Sequence, residues 1–150
     1  MSDLRDLYQE LILDHNKRPR NRGALEHATR TATGFNPLCG DRIVLQLRMD
    51  GDAIEDVKFD GCGCAISTAS ASLMTEAIRG RTTAEADAIG QTFREAMMLD
   101  RDHPVDVDGL GKLAALGGVR DYPARVKCAT LAWHTLDAAL HETADTVTTE

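Results

Sequence analysis

Hydrophobic positions recur along this chain with two different periods, and the changes between them divide it into helices and a sheet. Near the start, Leu4, Leu7, Tyr8, Leu11 and Ile12 fall at the spacing of one helical stripe, with Ser2 placed to cap it. The stripe ends in His15-Asn16-Lys17-Arg18-Pro19-Arg20-Asn21, where Pro19 disfavours helical geometry at Arg18 and the basic residues read as a solvated loop. A short strand is expected around Arg30–Thr33. From Arg42 to Met49 the period becomes two, with Ile43, Leu45, Leu47 and Met49 on one face. Asp50-Gly51 is a hairpin signal, and the returning strand ends with Val57 and Phe59 alternating against Lys58 and Asp60.

After Gly61 the helical period returns. A Ser/Ala-rich run reads as a helix from Cys64 through Arg79, stopped at Gly80. Thr82-Thr83-Ala84-Glu85 has the form of a capping box and opens a helix carrying Ile89, Phe93, Ala96 and Met97 inward, with the Met97-Met98 pair read as core. Asp100–Asp108 is acidic and irregular. Leu110, Leu113 and Leu116 predict a short helix closed by Gly117-Gly118, and Tyr122-Pro123-Ala124 opens a last one bearing Leu131, Trp133, Leu136 and Leu140. Residues 143–150 are polar with little to bury and are expected to fray. The fold class that follows is α+β: a small antiparallel sheet of about three strands packed with helices, in a single domain over residues 1–150.

Composition narrows the function. No apolar run approaches the roughly 20 residues needed to span a bilayer, and no signal-peptide pattern opens the chain, so a cytoplasmic protein without membrane contact is expected. A net charge of −7 without a long Lys/Arg run argues against nucleic acid as the partner. In such a chain the 4 cysteines read as reduced thiols, metal ligands or catalytic groups rather than as disulfides.

Those cysteines are placed suggestively. Cys62 and Cys64 sit in Gly61-Cys62-Gly63-Cys64-Ala65-Ile66-Ser67 at a strand-to-helix junction, where the helix N-terminus favours thiolate. Cys39 and Asp41 flank Gly40 in a turn, and Cys128 lies near the beginning of the last helix. Antiparallel pairing across the hairpin brings Cys39 and Cys64 to the same end of the sheet. Cys39, Asp41, Cys64 and Cys128 together offer sulfur and oxygen donors suited to tetrahedral zinc. Against this, a buried cysteine is often only a small hydrophobe, and the Cys62-Gly63-Cys64 spacing is neither a zinc-finger pattern nor decisive between its two thiols; a redox dithiol is a further reading. Arg125 and Lys127 flank Cys128 but are expected on different sides of the helix. All five histidines read as solvated or core.

Asn36-Pro37-Leu38-Cys39-Gly40-Asp41, the Gly61–Ser67 segment with Ala69-Ser70-Ala71-Ser72, and Ala124–His134 resemble, in order, the motifs of the SufU branch of the IscU/NifU-N scaffold family. The resemblance covers nearly the whole chain. It implies a zinc site of Cys39, Asp41, Cys64 and Cys128, with Cys62 in reserve because the related IscU pattern favours it. Lys127 stands where IscU-type scaffolds carry a histidine, which points to SufU. The activity implied is a zinc-dependent sulfurtransferase that takes persulfide sulfur on Cys39 from a PLP-dependent cysteine desulfurase and passes it to a downstream Fe–S assembly scaffold. The alternatives are a scaffold building a [2Fe–2S] cluster on the same thiolates and a structural zinc module. Carboxylate is the weaker partner of zinc, so the Cys39–Asp41 turn, hinged at Gly40, is expected to swing out and expose the acceptor.

Overall fold

The hairpin over Asp41–Cys62 is the frame on which the rest of the chain is laid in this computed structural model, which describes residues 2–100, 102–105 and 107–149, with side chains from residue 6 onward. The order is α1 (Ser2–Lys17), β1 (Arg30–Asn36), β2 (Asp41–Asp50), β3 (Ala53–Cys62), α2 (Ala65–Ile78), α3 (Thr83–Met98), α4 (Val107–Leu110), a 3-10 helix over Gly111–Asp121, α5 (Pro123–His141) and β4 (Thr146–Thr148). Ile43, Leu45 and Leu47 of β2 point into the core beside Val57 and Phe59 of β3. A register shift at Arg48/Met49 pairs Met49 with Ile54, so that Ile54 and Val57, three apart, are both buried.

The sheet runs β3-β2-β1-β4, with antiparallel pairing through β1, β2 and β3. β4 is the addition to the antiparallel sheet read from sequence: in place of a frayed segment, Thr146–Thr148 pair in parallel with Thr33–Phe35. The run has nothing apolar enough to signal a strand, and it orders because β1 offers an open edge of backbone donors and acceptors. β1 itself extends to Asn36, beyond the Thr33 limit expected.

α5 packs across β1 and β2, and α2 lies against both α5 and α1. Trp133 of α5 stacks on Phe93 of α3 with ring centroids 5.3 Å apart. The small residues of α2 allow close approach, and their hydroxyls are used: Ser70 Oγ donates to the Ala129 carbonyl. His15, fully buried, meets Ser72 Oγ at 2.7 Å through Nδ1. Ser72 Oγ also accepts from the Arg20 amide at 2.8 Å, and His15 Nε2 faces Glu76 at 3.5 Å.

Several outward-facing residues depart from the periodic reading. Leu7 is exposed while Tyr8, Leu11 and Ile12 pack on the core; the side chains of Ser2 and Leu4, also assigned to that helix, lie outside the described residues. Met97 is buried but Met98 is 80% exposed, because adjacent helical positions are 100° apart and cannot share a face. The helix read as closing at Gly117-Gly118 continues as 3-10 turns to Asp121. Part of the Asp100–Asp108 stretch, at residues 101 and 106, lies outside the described residues.

Candidate metal centre

The hairpin delivers the site. β1 and β2 meet at the Asn36–Asp41 pair, and the intervening turn is closed by the Cys39 N–H donating to the Asn36 carbonyl at 3.3 Å, with Gly40 at φ 71°. On the other side, Arg42 pairs with Cys62, so the chain leaving β3 passes Asp41 at once. Gly63 makes that passage possible, since a Cβ there would meet Asp41 Oδ1 at 2.8 Å. The next residue, Cys64, donates its backbone N–H to Asp41 Oδ1 at 2.8 Å and caps α2, its Sγ accepting from Ser67 N–H at 3.4 Å.

Cys128 arrives from α5, and its Sγ lies 3.2 Å from Cys39 Sγ. One ligand atom each from Cys39, Asp41 and Cys128 lie within 4.8 Å of one another. Cys64 Sγ stands at the rim, 4.0 Å from Asp41 Oδ2. Cys62, its neighbour but one, is exposed at the end of β3, and neither Cys64 nor Cys62 is part of that trio. A second trio, Asp87, Asp137 and His141, lies toward the surface, where His141 Nε2 meets both Asp87 oxygens at 2.9 Å.

The donors differ in how they are held. Asp41 is 2% exposed and pinned from two sides, by the Cys64 N–H on Oδ1 and by Asn36 Nδ2 on Oδ2 at 3.1 Å. Cys128 is fully buried, and burial, followed by the neighbouring Cys39, Asp41 and Cys64, pushes its thiol well above the usual range. That residue lies in the second turn of α5, too far from the helix start for the dipole to act on it as it does on Cys64. Cys39 is half-buried, and Arg125 Nη1 approaches its sulfur at 3.8 Å. Arg125 is three residues before Cys128 and shares its face of the helix, while Lys127, on a different side as the sequence leads one to expect, is exposed. The thiols of Cys128, Cys64 and Cys39 in turn hold the guanidinium more firmly protonated.

The donor set suits zinc by its chemistry. Sulfurs bound tetrahedrally at about 2.3 Å stand about 3.8 Å apart, so the Cys39–Cys128 contact of 3.2 Å needs only a small opening of the half-buried Cys39. Two residues of the site were not singled out from sequence. Asn36, read as a turn former before Pro37, is a fully buried donor to Asp41 and to Cys128 Sγ, the latter at 3.3 Å. Thr149, in the segment expected to fray, bonds Asn36 Oδ1.

Residues 7–142 match the NifU-like N terminal domain family. The chain belongs to that family. Within the NifU-like N-terminal family it is of the SufU type: it is 46% identical over 136 residues to the zinc-dependent sulfurtransferase SufU of Bacillus subtilis, covering 91% of this chain and 90% of that one. It is 41% identical over 145 residues to the iron–sulfur cluster assembly scaffold protein IscU of Streptococcus pyogenes, covering 97% and 89% of the two chains. Among solved structures, FiSufU of Fervidobacterium islandicum superposes with a TM-score of 0.81 at 40% identity, over 87% of this chain and 94% of that one. The α+β fold, a mixed four-stranded sheet with helices packed on it, is thus that of the SufU and IscU members of the family.

Proposed function

We propose that this protein is a zinc-dependent sulfur acceptor in Fe–S cluster biogenesis, with Cys39, Asp41, Cys64 and Cys128 as the zinc ligands and Cys39 as the acceptor. The observation that carries this reading is the asymmetry of the site: a buried thiol and a pinned carboxylate lie beneath one half-buried thiol on a glycine-hinged turn. A purely structural site has no use for an accessible donor. Zinc, when bound, supplies the charge that keeps these thiols deprotonated near neutral pH.

The chain's own residues supply the rest. Cys39 sulfur attacks the outer sulfur of a persulfide on a PLP-dependent cysteine desulfurase; a new S–S bond forms on Cys39, the desulfurase S–S bond breaks, and its cysteine leaves as thiolate. The sulfur then passes to a downstream Fe–S assembly scaffold. Asp41 does not travel with Cys39 in this scheme. The two hydrogen bonds on its carboxylate tie it to β1 and to the start of α2, which favours Cys39 moving alone about Gly40 over a swing of the whole turn. Arg125, beside the Cys39 sulfur, compensates the charge of the persulfide it receives.

The docking face lies next to the site. An apolar cavity of about 530 Å³, lined by Tyr8, Ile12, Ile66, Val119 and Tyr122, reaches Arg125 and the Ala65 that follows Cys64. Tyr122 in its lining is exposed, and a desulfurase presenting its persulfide loop fits this arrangement. The free thiols point to a reducing compartment, which we take to be the cytoplasm; among the described residues no helix is long and apolar enough to cross a membrane. The test is mass spectrometry after a single desulfurase turnover on the zinc-loaded protein. Persulfide on Cys39 is expected, and its presence only on Cys62, Cys64 or Cys128 would sink the assignment. Iron rather than zinc in anaerobically purified protein would favour the [2Fe–2S] scaffold.

A further inference from the structure

Asn36 is a fully buried polar side chain that the sulfur transfer does not use. Its Nδ2 donates to Asp41 Oδ2 at 3.1 Å and to Cys128 Sγ at 3.3 Å, while its backbone carbonyl accepts the Cys39 N–H at 3.3 Å. On the far side, its Oδ1 accepts from Thr149 Oγ1 at 2.9 Å. The chemistry of the partners fixes this orientation. A carboxylate that binds a metal only accepts, so the NH₂ group faces Asp41, and the amide oxygen is left for a hydroxyl that can donate. Thr149 is held in turn by its N–H on the Phe35 carbonyl at 3.0 Å, which continues the β4–β1 pairing past Thr148.

Both hydrogens of one amide are therefore used on atoms that carry negative charge when they bind a metal, and bonds of this kind are the stronger class. Cys39 receives no such support: its sulfur meets only Cys128 and the exposed Arg125 among the hydrogen bonds of the described residues. We propose that Asn36 is a positioning residue of the metal centre, fixing Asp41 and Cys128 as the permanent donors, and that the C-terminal strand β4 sets its grip through Thr149. This rests on the zinc assignment above and adds to it a regulatory input: whatever detaches β4 from the edge of β1 loosens the metal.

The experiment measures zinc affinity against a chromophoric chelator, the rate of zinc release, and the spectrum of the Co²⁺-substituted protein, all on the full chain. Asn36→Leu, which keeps the volume and removes the donors, should weaken zinc about 10–100-fold, the usual effect of losing a group that orients a ligand. Asn36→Asp, which sets a like charge against Asp41, should cost at least as much. Thr149→Val keeps the backbone pairing and should cost about threefold or more while speeding release, as expected for one neutral hydrogen bond. The sulfur-to-cobalt bands should shift in Asn36→Leu, a change that a merely looser fold does not produce in the protein still loaded with metal. Variants within twofold of the parent protein, with unshifted cobalt spectra, overturn the proposal. If the Asn36 variants fail to fold, Thr149→Val decides alone, and an unchanged release rate counts against it. A parent protein that binds no zinc overturns both this proposal and the zinc assignment; tight zinc in the parent and in every variant overturns this one only.

Discussion

Gly63 carries a constraint that no side chain of the site could. Because a Cβ at this position would meet Asp41 Oδ1 at 2.8 Å, Gly63→Ala must displace either the carboxylate or the Cys64 amide that it binds. The expected result is a loss of roughly 1–3 kcal/mol from overpacking, together with weakened zinc, read by denaturant melts of apo and loaded protein. A variant that holds zinc as the parent does would refute the tight approach. Cys39→Ser isolates a different property. The fold does not depend on this half-buried thiol, so the variant should melt as the parent apo protein does while accepting no persulfide in a desulfurase turnover.

At the scale of elements, the packing of α1 on α2 has a built-in pH dependence through His15. Burial, reinforced by the Arg20 charge, lowers its pKa below the ordinary 6.5. Because the folded value lies beneath the unfolded one, the stabilising contribution is complete above pH 6.5 and is lost as pH falls through the folded value, the unfolded chain taking up the proton first. Urea midpoints measured from pH 8 to pH 5 should decline with a slope of up to about 1.4 kcal/mol per pH unit from this group. His15→Gln should flatten the decline in that window, and an unchanged slope would assign the effect elsewhere. The α2–α5 contact behaves differently, resting on Ser70 and on small side chains that do not titrate.

For the molecule as a whole, the proposed metal centre would join the β1–β2 turn, the start of α2 and the body of α5, segments far apart in sequence. Whatever binds there stabilises the native state and not the unfolded one. Chelation should lower the melting temperature by about 5 °C or more, since a domain of this size shifts roughly 2–4 °C per kcal/mol. It should leave the protein folded, because the core around Trp133, Phe93, Leu45 and Leu47 is buried without the metal's help. Identical melts with and without chelator would mean that the donors do not form one bridging site.

The periodicity of Ile43, Leu45 and Leu47, the Asp50-Gly51 turn, the Thr82 capping box and Pro123 at the head of α5 determined the elements by themselves, because each acts through neighbours in the chain. The hairpin also determined which end of the sheet would carry Cys39 and Cys64, pairing being a matter of register. What it left open was decided between segments remote in sequence. Ile54 and Val57 share the core through a register shift that alternation does not announce. Of the Cys62–Cys64 pair, the approach of Gly63 to Asp41 selects which thiol lies by the carboxylate. Asn36 and Thr149, 113 positions apart, are ordinary turn and tail residues until β4 finds the free edge of β1 and lays one hydroxyl against one amide. No local pattern encodes such a contact, because its free energy exists only once both strands are in place.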